Sequence, residues 1–381
     1  MQKGALDGIT VIDISRLLPG PYCSMILADH GARVIAIEDR RYEAEGLYVT
    51  TINRNKSHMT LNLKSKEGKK IFFQLIEQAD VLLEGFRPGV TKRLGIDYDA
   101  LKAINPKIVY CSVTGFGQSG DHQNRAGHDI NYLSLSGILD MIGQPDQPPT
   151  VPGIQIADIA GGGMSAAIGI LLALFARERT GKGQYIDISM TDTMVSFLPV
   201  AQHLNNLLGA LPIRGDSLLS HRYAFYNTYE TSDHRYLAIG ALEHRFWTVL
   251  CHHLEKPEFI PLQFDENRRH EMITSLRDIF QKKTLAEWDA ELSALDVCYA
   301  PIQNLKEVLD DPFFQDRKMV VDIKNKEGRP QKAIGIPVKL SETPGNIKTP
   351  PVSFGENTDN ILSALGYTHA DIQSLREQGV I

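Results

Sequence analysis

Cysteine is scarce in this chain. The four residues present, Cys23, Cys111, Cys251 and Cys298, show no CxxC spacing. They read as buried free thiols of a reducing compartment. No long basic run appears, and the net charge is −6 with a pI near 6.1, so nothing in the charge balance supports nucleic acid as a partner. The longest apolar run, near Ile168 to Phe175, is shorter than the roughly 20 residues a helix needs to span a bilayer. The opening Met-Gln-Lys-Gly-Ala-Leu-Asp-Gly has no apolar h-region, so no secretory leader is expected. A cytoplasmic protein without membrane attachment is the expectation.

What is present is an ordinary globular composition, 43% apolar and 23% charged. At 381 residues the chain is too long for one core, so two domains are expected. Residues 10–14 read as a strand, residues 22–29 as a helix that stops at Gly31, and residues 33–37 as a second strand ending at Glu38. Such a βαβ opening resembles a dinucleotide-binding fold. The turn after the first strand, however, has Pro19 and Pro21 around a single Gly20. Without the glycine fingerprint the backbone cannot approach a pyrophosphate closely, which argues against NAD. A G-x-G-x-x-G does occur at Gly115, Gly117 and Gly120, but no apolar helix opening follows it. It reads as a loop leading to His128.

Further strands are expected at 81–84, 108–113 and 185–189, and helices at 164–179 and 194–208. This alternation implies an α/β fold with a mostly parallel sheet. From about residue 213 the pattern changes to a hairpin, 224–230 with 235–239, and a helix near 243–254. That marks a smaller α+β region. Pro337, Pro344, Pro350 and Pro351 suggest an extended return over the first domain, closed by helices near 358–366 and 370–378. Arg40, Arg41, Arg54, Lys56, Lys64, Arg87 and Arg93 mostly follow predicted strands, the edge where an open α/β sheet binds ligands. Arginine and lysine there suit phosphate. Gly127-His128-Asp129-Ile130-Asn131-Tyr132 and Asp158 before Gly161-Gly162-Gly163 supply an imidazole and a carboxylate beside flexible backbone. Proton transfer at carbon needs two such weak bases with tunable pKa values.

Several segments carry a resemblance: Leu6-Asp7-Gly8, the Pro19-Gly20-Pro21 turn with Ala28-Asp29-His30-Gly31-Ala32, and Glu84-Gly85-Phe86-Arg87-Pro88-Gly89. Thr114 through Gly120, Arg179 through Gln184, and the tail Leu365-Gly366-Tyr367 to Ile381 complete it. Over nearly the whole chain the sequence resembles the family III CoA-transferase superfamily, and within it the α-methylacyl-CoA racemases. The resemblance implies a Rossmann-like large domain with a smaller α+β domain and an interlocked homodimer. The boundaries read as 1–205 for the large CoA-binding domain, 206–319 for linker and small domain, and 320–381 for the return segment.

The resemblance also implies roles. His128 and Asp158 act as acid/bases on opposite faces of the substrate α-carbon. Glu243, in Gly240-Ala241-Leu242-Glu243, orients His128 from the partner subunit. Asp129 stands where the transferases keep their nucleophile, and so is the key residue of the alternative transferase reading. Coenzyme A, present as part of the thioester substrate rather than as a prosthetic group, is assigned to Arg40, Leu61, Asn62, Leu63, Lys64, Gly85, Phe86, Arg87, Arg93, Gly127 and Tyr132. No metal is expected. Gly161 to Gly163 would let the acyl chain lie close to the backbone.

Overall fold

The computed structural model describes residues 3–325 and 327–381. Six strands, β1 (Thr10–Asp13), β2 (Arg33–Glu38), β3 (Lys56–Thr60), β4 (Val81–Glu84), β5 (Val109–Thr114) and β6 (Tyr185–Ser189), form one sheet. It is parallel throughout, in the order β3-β2-β1-β4-β5-β6. Strands covered on both faces need continuous apolar runs, and β4 and β5 are buried at every residue. The chain winds outward from β1 through β2 to β3, then restarts on the other side of β1 with β4. The strand ends at that reversal are where such sheets hold ligands.

Helices join the strands: α1 (Pro19–Asp29), α2 (Lys66–Glu77), α3 (Val90–Leu94), α4 (Tyr98–Ile104), α5 (Asp129–Leu135), α6 (Ser165–Thr180) and α7 (Met190–Val195). The sequence dictates α2 clearly. Ser65 caps it by accepting from the Gly68 N–H at 2.9 Å, and Ile71, Phe72, Leu75 and Ile76 form its buried face. The C-terminal segment completes the same core. Ile361, Leu362, Ile372, Leu375, Val380 and Ile381 pack with Ile12, Ile35, Leu82 and Tyr110. The Val380 carbonyl accepts from the Asn62 N–H at 2.8 Å, and the Thr358 hydroxyl accepts from the Thr60 N–H at 3.0 Å.

Two compact units result. The first takes the chain up to Ile138, Pro152–Leu198 and Pro312–Ile381; the second takes Leu139–Val151 and Pro199–Asp311. The second opens its main stretch with α8 (Pro199–Leu208). It builds an antiparallel sheet of β7 (Tyr226–Glu230), β8 (Tyr236–Gly240) and β9 (Tyr299–Pro301), with α9 (His244–His253) following β8. Its core is aromatic, with Phe225, Tyr229, Trp247, Phe280 and Trp288 buried together. In the first unit β10 (Val320–Lys324) and β11 (Pro330–Ile334) pair antiparallel.

Four features differ from the sequence expectation. Spacing predicts one helix over 194–208; the chain forms two, because Pro199 starts a new helix at its first position, where no N–H is needed. Residues 139–151, predicted to belong to the large domain, join the second unit. Arg214 draws them there, donating to the carbonyls of Asp140, Gln144 and Gln147 at 3.2, 3.1 and 3.0 Å. Strand β3 carries no apolar alternation, so the sequence pattern does not predict it. Its polar residues are buried with partners: Lys56 Nζ donates to the Pro21 carbonyl at 2.7 Å, and His58 Nδ1 accepts from the Gly355 N–H at 2.8 Å. Finally, the helical stretch Ala157–Thr180 is long and apolar enough to cross a bilayer by length and composition, whereas the run Ile168 to Phe175 alone is too short. Ala166, Ala167, Ile170, Ala173 and Leu174 bury one face of α6. The other leaves Ile168, Leu172 and Phe175 exposed by 59, 65 and 60%.

Candidate active site

Strand β5 delivers the chain at Thr114 to a loop that ends at His128. The Gly127–Tyr132 motif then folds back on itself. Tyr132 is buried, and its phenol donates to the Gly127 carbonyl at 2.5 Å. A Cβ placed on Gly115 would lie 2.3 Å from the Tyr132 ring, and one on Gly127 2.7 Å from it. Both glycines are therefore required by the ring. Gly127 and Tyr132, assigned from sequence to the coenzyme, form an internal clasp with each other. Asn131 Oδ1 accepts the His128 N–H at 2.9 Å, which fixes the entry into α5. The clasp leaves His128 exposed just ahead of α5, with Asp129 half-buried as its first residue.

Asp158 comes from a different local structure. Residues Ala157–Met164 wind as a π-helix that runs into α6, a geometry that recurs at functional sites. Glycines make its packing possible. A Cβ on Gly162 would stand 2.5 Å from Pro19 Cβ, and one on Gly163 2.8 Å from the Tyr22 ring. One on Gly161 would meet the Met190 carbonyl at 3.2 Å. These glycines seat the π-helix on α1 and α7, which corrects the expectation that they make room for an acyl chain.

The two acidic residues are tied directly: Asp129 Oδ1 accepts the Asp158 backbone N–H at 3.0 Å. Burial first, and then the Asp129 charge, push the Asp158 carboxyl up to about 6, with His128 pulling the other way. His128, Asp129 and Asp158 thus share one electrostatic neighbourhood. Burial, with the Asp158 charge second, also pushes the Tyr132 phenol up to about 12, opposed by Arg87. Tyr132 is neutral at physiological pH, and Arg87 lies within the same field.

A raised carboxyl has a stability consequence whose sign can be worked out. Below the unfolded value, near 4, Asp158 is protonated in both folded and unfolded states and contributes nothing. Above about 6 it is ionised in both and destabilises the fold. Asp158→Asn is therefore expected to raise the melting temperature at pH 8. After discounting for the partial exposure of the group, the gain is about 1 kcal/mol. It should disappear as pH falls from 6 to 4, and differential scanning fluorimetry across that window checks it. A variant less stable at pH 8 than at pH 4, relative to the parent, would contradict the assignment.

The remaining sequence-predicted residues fall at the C-terminal ends of the strands. Arg40 opens a short 3-10 turn after β2, and Leu61, Asn62, Leu63 and Lys64 follow β3. Gly85, Phe86 and Arg87 follow β4, and Arg93 lies in α3. Arg40, Lys64, Gly85, Arg87 and Arg93 are exposed, while Leu61 is buried in the core. Two of the basic residues read as phosphate ligands have other roles. Arg54 is buried in an ion pair with Asp29 at 2.7 Å. Lys56 is wholly buried, with its ammonium pushed down to about 8 by burial. Glu243 lies in the second unit, at the N-cap position of α9 but without a side-chain capping bond.

Known proteins resemble this chain over most of its length. A family model described as CoA-transferase family III matches residues 6–358. Human alpha-methylacyl-CoA racemase is 38% identical over 385 aligned residues, covering 99% of this chain and 97% of that protein. The succinyl-CoA:mesaconate CoA-transferase of Haloarcula marismortui is 34% identical over 364 residues, covering 89% and 91%. Among solved structures, a CaiB/BaiF family protein from Brucella suis superposes with a TM-score of 0.83 at 29% identity, over 96% of this chain and 100% of that one.

Proposed function

This chain belongs to CoA-transferase family III, and we propose that within it the protein is a racemase or epimerase of 2-methylacyl-CoA or related α-branched acyl-CoA thioesters. The observation that carries the reading is the junction of Asp129 and Asp158 beside His128: the Asp158 N–H donates to Asp129 at 3.0 Å, and burial raises the Asp158 carboxyl to about 6. A general acid/base works best with a pKa near the operating pH, and burial brings this carboxyl up toward that range. One residue of the pair takes the α-hydrogen as a proton. The C–H electron pair moves onto the thioester oxygen to give an enolate, and the other residue returns a proton to the opposite face. Backbone N–H groups in the first turn of α5 are the candidate donors to that oxygen. Glu243 of the partner subunit would set the orientation of His128.

Each turnover leaves the two groups with exchanged protonation states, which must reset through solvent. Incubation with a single enantiomer of a 2-methylacyl-CoA in heavy water, with no acceptor acid, should therefore replace the α-hydrogen by deuterium and invert the centre. NMR follows both. Transfer of CoA on adding a free acid, with no exchange across several acyl chains, would overturn the proposal.

The second reading is a CoA-transferase, favoured by the carboxylate of Asp129 at the head of α5 and by the transferases among the relatives. There the Asp129 carboxylate attacks the thioester carbonyl and expels the CoA thiolate, giving an acyl-aspartyl anhydride. The thiolate then attacks the aspartyl carbonyl, releasing the donor carboxylate and leaving an aspartyl-CoA thioester, from which an acceptor carboxylate takes CoA by the same two steps in reverse. As a racemase, the protein asks of Asp129 an acceptor for the Asp158 N–H, which asparagine supplies, and a charge that adds to the effect of burial on Asp158. Asp129→Asn is expected to keep activity within about tenfold of the parent, whereas a lost nucleophile costs several orders of magnitude. It should also lower the Asp158 pKa, since the raising charge is gone, and so shift the acidic limb of the rate profile to lower pH. Hydroxylamine during turnover should leave activity intact; inactivation with Asp129 modified in the mass spectrum would decide for the transferase.

For the fold we propose the Rossmann-like CoA domain of the resemblance and an interlocked homodimer. The exposed Ile168, Leu172 and Phe175 of α6 fit a subunit interface, since monomers seldom leave such apolar patches uncovered. Sedimentation equilibrium should show a dimer at all concentrations that keep activity. A folded, active monomer would exclude it.

A further inference from the structure

Glu84, the last residue of β4, is a buried carboxyl with both oxygens engaged. One accepts the Phe86 N–H at 2.7 Å; the other accepts the Ser112 hydroxyl from neighbouring β5. Ser112 in turn accepts from the Gln118 side-chain amide at 2.6 Å. The Gln118 backbone N–H donates to Asp187 on β6 at 3.0 Å. The chain of bonds Gln118–Ser112–Glu84–Phe86 thereby fastens two loops to the ends of adjacent strands. The first is the turn of Gly85, Phe86 and Arg87; the second is the loop that leads to His128.

From this geometry we propose that Glu84 is a positioning residue: its carboxylate form sets the turn that presents Arg87 to the coenzyme A phosphates and ties that turn to the loop feeding His128. The coenzyme part rests on the function proposed above. The mechanism follows from acceptor count. An ionised carboxylate takes both the Phe86 N–H and the Ser112 O–H, whereas a protonated one carries a donor on one oxygen and must give up or reverse one of these bonds. Burial pushes this carboxyl up to about 7, opposed by the Ser112 and Phe86 bonds, with Asp187 adding to the rise. The other titratable groups facing it are Tyr110 and Cys111 on β5 and Tyr185 on β6. Burial raises all three, so they are uncharged near neutrality. Asp187 is raised by burial as well, and accepts from Gln118. Of these groups it is Glu84 that accepts both the Phe86 N–H and the Ser112 O–H, so its ionisation is the one that sets the turn.

The test measures CoA affinity by calorimetry at pH 6, 7 and 8 in the parent, Glu84→Gln and Arg87→Ala, with backbone amide exchange of residues 85–89 measured alongside. In the parent, affinity should weaken by about tenfold from pH 8 to pH 6, the limit for a group titrating near 7 whose protonated form binds poorly. Glu84→Gln keeps one acceptor for Phe86 but cannot ionise, so its affinity should follow a flatter profile. Titration of the CoA phosphates is common to both proteins and cancels. Protection of the Phe86 and Arg87 amides, corrected for intrinsic exchange, should fall at pH 6 in the parent and not in Glu84→Gln. Identical pH profiles in the two proteins would overturn the proposal. Should the parent bind no CoA, the functional reading fails, and the amide exchange still decides whether Glu84 sets the turn. Arg87→Ala should bind weakly at all three pH values while keeping the parent's pH-dependent amide protection at Phe86.

Discussion

Asp158→Asn and His128→Ala are each expected to lower racemisation by at least about hundredfold, the usual worth of a positioned acid or base. The two variants should differ in what survives. With one base removed, the other still faces its own side of the α-carbon. Each variant should then exchange the α-hydrogen of one enantiomer slowly, without inversion, and leave the other untouched. The surviving enantiomer should be opposite in the two variants. Misfolding does not mimic this, since Asp158→Asn is expected to be more stable at pH 8, not less. NMR of both enantiomers in heavy water reads the result. Exchange of the same enantiomer by both variants would show that the two groups do not stand on opposite faces.

How much of this was legible from sequence depends on what each residue touches. Strands β4 and β6 are readable to the residue: β4 is a short, wholly buried apolar run, and β6, at the sheet edge, alternates apolar Ile186 and Ile188 with polar neighbours, both bounded by turn residues. Strand β3 was not, since Lys56 and His58 are stabilised by partners distant in sequence, Pro21 and Gly355. No local pattern reports such bonds. The same limit applies to Arg54, whose carboxylate partner, Asp29, lies 25 positions away in α1. A basic residue near a strand end looks the same whether it faces solvent or a buried acid. At the candidate site, His128 and Asp158 were visible as residue types and through the family resemblance. The hydrogen bond from the Asp158 N–H to Asp129, and the π-helical winding around it, needed three dimensions. Glu84 belongs to one of the segments that carry the resemblance, yet its role depends on Ser112 and Gln118 from the adjacent strand and loop.

The glycine run beside Asp158 separates a packing role from a ligand role, and the difference is large enough to measure. Were Gly162 there to let an acyl chain approach, a side chain would change KM and acyl preference and leave the fold alone. Its actual neighbours are protein: an added Cβ stands 2.5 Å from Pro19 Cβ and 3.1 Å from Met190 Sδ, and Cβ atoms on the flanking Gly161 and Gly163 would meet the carbonyls of Met190 and Pro19 at 3.2 and 3.0 Å. Pro19 Cβ belongs to a ring fixed in the first turn of α1 and cannot withdraw as the flexible Met190 side chain at the start of α7 can. Overpacking a buried contact costs about 1–3 kcal/mol, and valine adds more volume than the Cβ alone. The π-helix must move off α1 to accommodate it, and Asp158 moves with it. A displacement of about 1 Å at a reacting group can lower a rate by a factor of about one hundred. Gly162→Val is accordingly expected to lose about two orders of magnitude in kcat, together with a lower melting temperature. Gly153→Ala serves as the control, since a Cβ there meets no described heavy atom within 4 Å and should leave the melting temperature unchanged. An unaltered melting temperature in Gly162→Val, with a changed acyl preference, would restore the ligand role.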